Sequence, residues 1–226
     1  MKKLFLTFGL ITMSSAAFAQ GSVNWGSISF VAMTVETNGP PVSPIFGGGG
    51  GGGPVAPAGG YYFELLYQSY TGVQAPVPDS LGALLSWSDT GLEATNVNTA
   101  GRLMPINPNF GALVPWSPGT TDSIVLVGWS ANLGSTWSAA EAELANFYND
   151  WVPNAYLGFS ATGYITPLAT TTSPGTTVFG TGPTAQGVPI YNPPSNPMVL
   201  YLIPEPCTLA LAGLGGLSLL LFRRRK

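Results

Sequence analysis

The residues able to do chemistry in this chain are few, and nearly all are acids. Asp89-Thr90-Gly91 has the form of the triplet that serves paired-carboxylate proteolysis. That reaction needs two carboxylates sharing one proton. The triplet occurs once, and Leu92 follows it where a small residue is expected, so only a homodimer would supply the second copy. Asp-Thr-Gly is also ordinary turn chemistry, because Asp accepts from the backbone two residues on and Gly bends freely. The turn is the reading adopted. Gly128-Trp129-Ser130-Ala131-Asn132 partly matches the G-x-S-x-G nucleophile elbow, but its last glycine is missing and a strand-to-helix context is required. The chain has no His and a single Cys, Cys207, near its end. Ser–His–Asp and Cys–His catalysis therefore lack their base. Glycoside hydrolysis needs two carboxylates about 5–10 Å apart, and no spacing singles out such a pair. Glu141 and Glu143 are two apart on an expected helix and do not share a face. No EF-hand spacing is present, which leaves only a calcium site built from distant loops as an open alternative. No enzyme activity, metal or cofactor is expected.

Aromatic residues are the other candidates. The six Trp are many for a chain of 226 residues. Trp25 and Trp129 fall in strand-like runs and are expected in the core, where aromatics dominate burial. Trp116 and Trp137 fall among turn residues and are the candidates for stacking on sugar rings.

Charge narrows the partners. Between residues 20 and 203 there is one basic residue, Arg102, against nine acids, a formal −8, whereas the whole chain is −3. The remaining cations lie at the two ends. Nucleic-acid binding needs a cationic footprint, and a phosphate-binding P-loop needs a Lys after its glycines; residues 20–203 supply neither. A neutral polysaccharide suits this surface better than an anionic polymer.

Both ends of the chain read as addresses. Lys2 and Lys3 precede the apolar run Leu4–Met13, and Ala17-Phe18-Ala19 follows. This is the order of a secretory signal with an A-x-A cleavage site, too short to span a bilayer. Cleavage after Ala19 is expected, at the Ala17/Ala19 pair. At the other end Pro204-Glu205-Pro206 leads into an apolar segment, residues 207–222, and then Arg223, Arg224, Arg225 and Lys226. Thr208–Phe222 would be roughly 22 Å long as a helix, against a hydrocarbon core of about 30 Å. The four cations favour a cytoplasmic C-terminus, and the two prolines hold the motif extended.

The tail resembles the PEP-CTERM sorting signal of Gram-negative-type bacteria. The resemblance rests on Pro204, Glu205 and Pro206, the apolar segment and the terminal basic cluster, about a tenth of the chain. It implies recognition and cleavage near the motif by the membrane protease exosortase, after export by the general secretion machinery. The body would be transiently anchored in the inner membrane and then pass to the cell surface or extracellular polysaccharide matrix. Gly60–Tyr67, Val127–Gly134 with Trp137, and Leu200-Tyr201 also resemble a recurrent domain found upstream of such tails, which brings no catalytic residues with it.

These candidates need elements to hold them. Tyr61–Ser69 alternates, with Tyr61, Phe63, Leu65 and Tyr67 on one face and Glu64 and Gln68 on the other. Ser22–Ala32, Ile124–Trp129, Tyr156–Ile165 and Met198–Leu202 also read as strands, and Leu81–Trp87, Arg102–Ile106 and Thr176–Phe179 do so more weakly. Ser138-Ala139-Ala140-Glu141 reads as a capping box opening a helix over 139–150. Residues 39–60, with seven consecutive glycines, read as a flexible loop. The expected fold class is all-β, a β-sandwich with one short helix, plus an N-terminal signal helix and a C-terminal transmembrane helix. The expected units are a signal peptide at 1–19, one domain at 20–203 and a sorting segment at 204–226. The function expected is structural or interactive, at the cell surface or in the matrix. A carbohydrate-binding module is the alternative, and a carboxylate-based hydrolase the third reading.

Overall fold

A computed structural model describes residues 20–26, 33–36, 59–97, 103–106, 111–147, 149–150, 152–169, 174–193 and 198–203. The signal region with Ala17 and Ala19, Arg102, Trp151, most of the glycine-rich segment and the tail from Pro204 to Lys226 lie outside the described residues. The strands are β1 (Gly21–Asn24), β2 (Met33–Glu36), β3 (Tyr61–Ser69), β4 (Ser88–Asn96), β5 (Leu103–Pro105), β6 (Ala112–Val114), β7 (Asp122–Ser130), β8 (Tyr156–Phe159), β9 (Gly163–Ile165), β10 (Leu168–Ala169), β11 (Thr176–Thr177), β12 (Gly187–Val188) and β13 (Met198–Leu202). Among the described residues two α-helices, α1 (Leu81–Leu84) and α2 (Trp137–Asn146), and a 3-10 helix at Ala131–Leu133 accompany them. The fold is all-β and sandwich-like. Among the described residues no helix is long and apolar enough to cross a membrane.

The large sheet runs β2-β13-β8-β7-β3-β4-β5, with β9 also on β7 and β12 on β9. The small sheet is β10-β1-β11, with β6 also on β1. β7 is the centre: all nine of its residues are buried, as its nearly continuous apolar sequence requires of a strand covered on both faces. Opposite it, β3 splits its side chains between two cores. Phe63 and Leu65 join Ile124 and Leu126 of β7, Val23 and Trp25, and Ala112 and Val114 of the small sheet. Leu66 joins Val125, Val127 and Trp129 of β7, Leu84 of α1, and Trp137, Ala140 and Leu144 of α2. The small sheet thus covers one face of the large sheet and the helices cover the other. Each fully buried large apolar side chain contributes roughly 1.5–3 kcal/mol. Gly128 belongs to this packing, because a Cβ there would lie 2.4 Å from the Phe63 ring.

Several expectations are corrected. Leu81–Trp87 is not a strand: its first four residues form α1, because the Ser80 side chain accepts from the Ala83 N–H at 3.2 Å and Leu81 and Leu84 both turn toward the helix-side core. The expected strand Ser22–Ala32 is described only as β1 and a short 3-10 turn at Trp25, with β2 a separate strand. Tyr156–Ile165 is two strands. Both pair with β7, but three residues (160–162) face two of β7 between the flanking pairs, and the Ser160 hydroxyl takes the Leu126 N–H at 2.9 Å. α2 begins at Trp137, with Thr136 as its cap accepting from the Ala139 N–H at 3.4 Å, and ends at Asn146. Ser138 therefore lies inside the helix. β3 and β13 have the bounds expected, and the two faces of β3 are those its alternation gives, both of them buried.

Candidate functional site

β3 and β4 bring three acids to one face of the large sheet. Alternation along β3 puts Glu64 on the face of Tyr62 and Leu66. The antiparallel register sets Glu93 directly opposite Glu64, and Asp89 opposite Leu66. Val127 of β7 flanks Glu64 on its other side. This is the face that the helices cover, and Glu64 is 0 % exposed. Asp89 is exposed and Glu93 partly buried.

β4 reaches this arrangement through a bulge. Between the pairs Glu64↔Glu93 and Leu66↔Asp89, one residue of β3 faces three of β4, Thr90, Gly91 and Leu92. Extra residues on one strand must kink out of the ladder. Gly91 takes φ +73°, a left-handed turn that glycine makes at no steric cost. The Asp89 carboxylate accepts the Gly91 N–H at 2.6 Å, and the Thr90 hydroxyl donates to the Leu65 carbonyl at 2.6 Å. Asp89-Thr90-Gly91 does form a turn, one folded into a strand. The acid beside it within the chain is Glu64.

Electrostatics then set the protonation. Neither carboxyl oxygen of Glu64 has a partner at full hydrogen-bond geometry. The described residues include no Lys, Arg or His. An ionised carboxylate buried without a cation is strongly disfavoured. Burial first, then proton sharing with Asp89 and the negative charges of Asp89 and Glu93, push the Glu64 carboxyl up to about 10; the Leu92 N–H opposes this. Glu93 is also raised, by burial and then by Asp89. Burial thus favours the neutral form of the Glu64 carboxyl, and the neighbouring Asp89 carboxyl is anchored by the Gly91 N–H. Among the described residues no group of three or more His, Cys, Asp or Glu is arranged to hold a metal ion.

The two tryptophans expected at the surface are instead in the cores, a correction to the sugar-stacking assignment. Trp116 is 6 % exposed, and its ring stacks on Tyr67 at 5.0 Å. Its carbonyl accepts the Gly21 N–H at 2.9 Å, tying the turn after β6 to β1. Trp137 is 2 % exposed and lies against Trp129 at 5.5 Å. Turn-rich sequence marks where the backbone bends but not which way the side chain points. Trp25 and Trp129 are in the core as expected, with 0 % exposure each. Two surface grooves of about 320 Å³ and 230 Å³ flank residues 76–78; Val77, Asn192 and Tyr201 help line the first, and Gln68, Asp79 and Trp87 the second.

Ser130 is also occupied. Its hydroxyl donates to the Asn132 side-chain oxygen at 2.6 Å and accepts the Tyr156 N–H at 2.8 Å. It joins β7 to β8 and has no adjacent base. Glu64 is the residue that sequence reasoning passed over. The local signal was present: Tyr62 and Leu66, on its face, are apolar, so its neighbours along the strand already implied a second buried face. Comparison of the chain with known protein families, curated proteins and solved structures gives no match.

Proposed function

We propose that this chain is an exported protein of the cell surface or extracellular matrix, structural or interactive rather than catalytic, sorted through residues 204–226. The observation that carries the reading is the succession of motifs in the sequence of the tail: Pro204-Glu205-Pro206, an apolar segment too short for a comfortable span, and Arg223, Arg224, Arg225 and Lys226. The body is consistent with it. The groups that suggested catalysis are committed to structure, Ser130 to the β7–β8 link and Asp89 to the bulge. Glu64, the one acid with perturbed protonation beside Asp89, is closed to any substrate by its complete burial. The partners in this reading are the secretion machinery, exosortase, the inner membrane through residues 207–222 before processing, and extracellular polysaccharide afterwards.

The test is the intact mass and location of the protein in a host with and without exosortase. Released material beginning at Gln20 and lacking residues beyond about Pro206 is expected only when the protease is present. A full-length tail held in the membrane in both strains would leave a plain anchored surface domain instead.

A further inference from the structure

Two tyrosines far apart in the chain meet beside the central strand of the large sheet. β3 and β9 lie on opposite sides of β7, with Ser69 facing Asp122 and Tyr164 facing Ser123. Tyr70 follows directly on β3, and the Asp122 carboxyl accepts its N–H. Tyr164 is held from its other side as well, opposite Val188 of β12. The Tyr70 and Tyr164 rings stack with centroids 4.6 Å apart and planes 23° from parallel. Burial, then the charge of an ionised Tyr164, then a hydrogen bond with it hold the Tyr70 hydroxyl above its ordinary value. The two hydroxyl ends therefore lie together, and with them the ring carbons next to each hydroxyl. The segments beside the rings are tied to each other too. The Gln74 side-chain amide donates to the Thr162 carbonyl at 2.7 Å, and the Thr162 hydroxyl donates to the Ala75 carbonyl at 2.6 Å. Both tyrosines are half-buried, so neither is sealed from solvent.

We propose that Tyr70 and Tyr164 are a site of oxidative cross-linking, joined carbon to carbon by a one-electron oxidant of the peroxidase class acting with hydrogen peroxide. Each phenol gives up one electron and the proton of its hydroxyl. The two radicals pair their electrons in a bond between the carbons beside the hydroxyls, one Cε from each ring. The hydrogen on each of those carbons then moves to the phenolic oxygen, which restores both aromatic rings and both hydroxyls. The chain loses two hydrogens in all, and one hydrogen peroxide becomes two waters. Tyrosyl radicals on separate molecules must find one another by diffusion. In this fold the rings are already together, and such positioning turns an encounter into a step within one molecule. The other tyrosine pair among the described residues is less suited: the Tyr61 and Tyr156 rings meet edge-on at 6.2 Å, with Tyr61 buried. The new bond clips the end of β3 to β9 across the start of β7, in a chain whose single Cys, Cys207, allows no disulfide within it.

The experiment treats the full chain, dilute and in detergent, with a haem peroxidase and hydrogen peroxide. Dityrosine fluorescence, the size of the product and the joined peptides are then read. The expected result is a monomer in which the peptides carrying Tyr70 and Tyr164 are joined and lighter by two hydrogens than their sum. Its urea midpoint should rise, because a bond between distant residues restricts the unfolded chain. Tyr70→Phe and Tyr164→Phe keep a ring in the stack but remove one phenol. Each should lose both the internal bond and the gain in midpoint, while Tyr201→Phe, at an exposed position, should keep both. Dityrosine found only between molecules overturns the proposal, as does an internal bond that maps to another pair or persists in Tyr70→Phe. If either stack variant fails to fold, the peptide map of the parent decides by itself.

Discussion

Glu64 keeps its proton in the folded chain and loses it in the unfolded one, so its effect on stability depends on pH. The unfolded carboxyl has an ordinary value of 4.5, whereas the folded one is pushed up to about 10. Below the lower value both states hold the proton, and Glu64 imposes no penalty. Between the two the native state holds one proton more, so stability falls by about 1.4 kcal/mol per pH unit. Above the upper value the loss is complete. Burial raises Glu93 and Asp122 in the same direction. Urea unfolding at pH 5, 7 and 9 should therefore show Glu64→Gln close to the parent at pH 5 and increasingly more stable above it. Parallel stability curves for the two proteins would mean that Glu64 is ionised in the fold. The residue is tolerated because neutral carboxyls are far less costly to bury than charged ones.

At the scale of elements, the periodicities were readable and the junctions were not. The alternation of β3 sorted its side chains onto two faces correctly, although both faces are buried, and the apolar run Ile124–Trp129 read as a strand within β7. The start of α2 was misplaced, because Thr136 and Ser138 both have side chains fit to cap a helix. The fold chooses Thr136, which lets Trp137 enter the core from the first turn. Thr136→Ala should lower stability by ~0.5–1 kcal/mol, while Ser138→Ala should stay within about 0.5 kcal/mol of the parent. Denaturation midpoints of the two variants decide it, and a larger effect at Ser138 would restore the later start. The β8–β9 break follows the same logic: Ser160 replaces a ladder partner for Leu126, a substitution visible only once β7 is alongside.

At the scale of the molecule, the last strand is the feature that bears on the sorting proposed for residues 204–226. β13 is an interior strand, parallel to β2 and antiparallel to β8. Its bonding continues through Ile203, whose N–H donates to the Ala155 carbonyl at 2.8 Å. Pro204 is the next residue, so the folded body reaches the edge of the motif. Under the proposed function, a protease acting there would have to wait for the end of β13 to fray. Inserting a short Gly/Ser linker after Ile203 should accelerate conversion to the processed form in pulse-labelled cells without altering the unfolding midpoint. Unchanged kinetics would mean that the domain does not limit access.

The sequence by itself determined the alternation of β3, the charge balance, the absence of histidine and the order of motifs at the two ends. These depend on residue type and short spacing, which neighbours along the chain fix locally. The tertiary structure decided that β3 is buried on both faces, where Trp116 and Trp137 point, and that Asp89 lies beside Glu64. Those outcomes depend on register and layering between residues far apart in sequence. A bulge in β4 sets which acids share a face, and a helix laid over the sheet turns an unremarkable glutamate into a buried carboxylic acid.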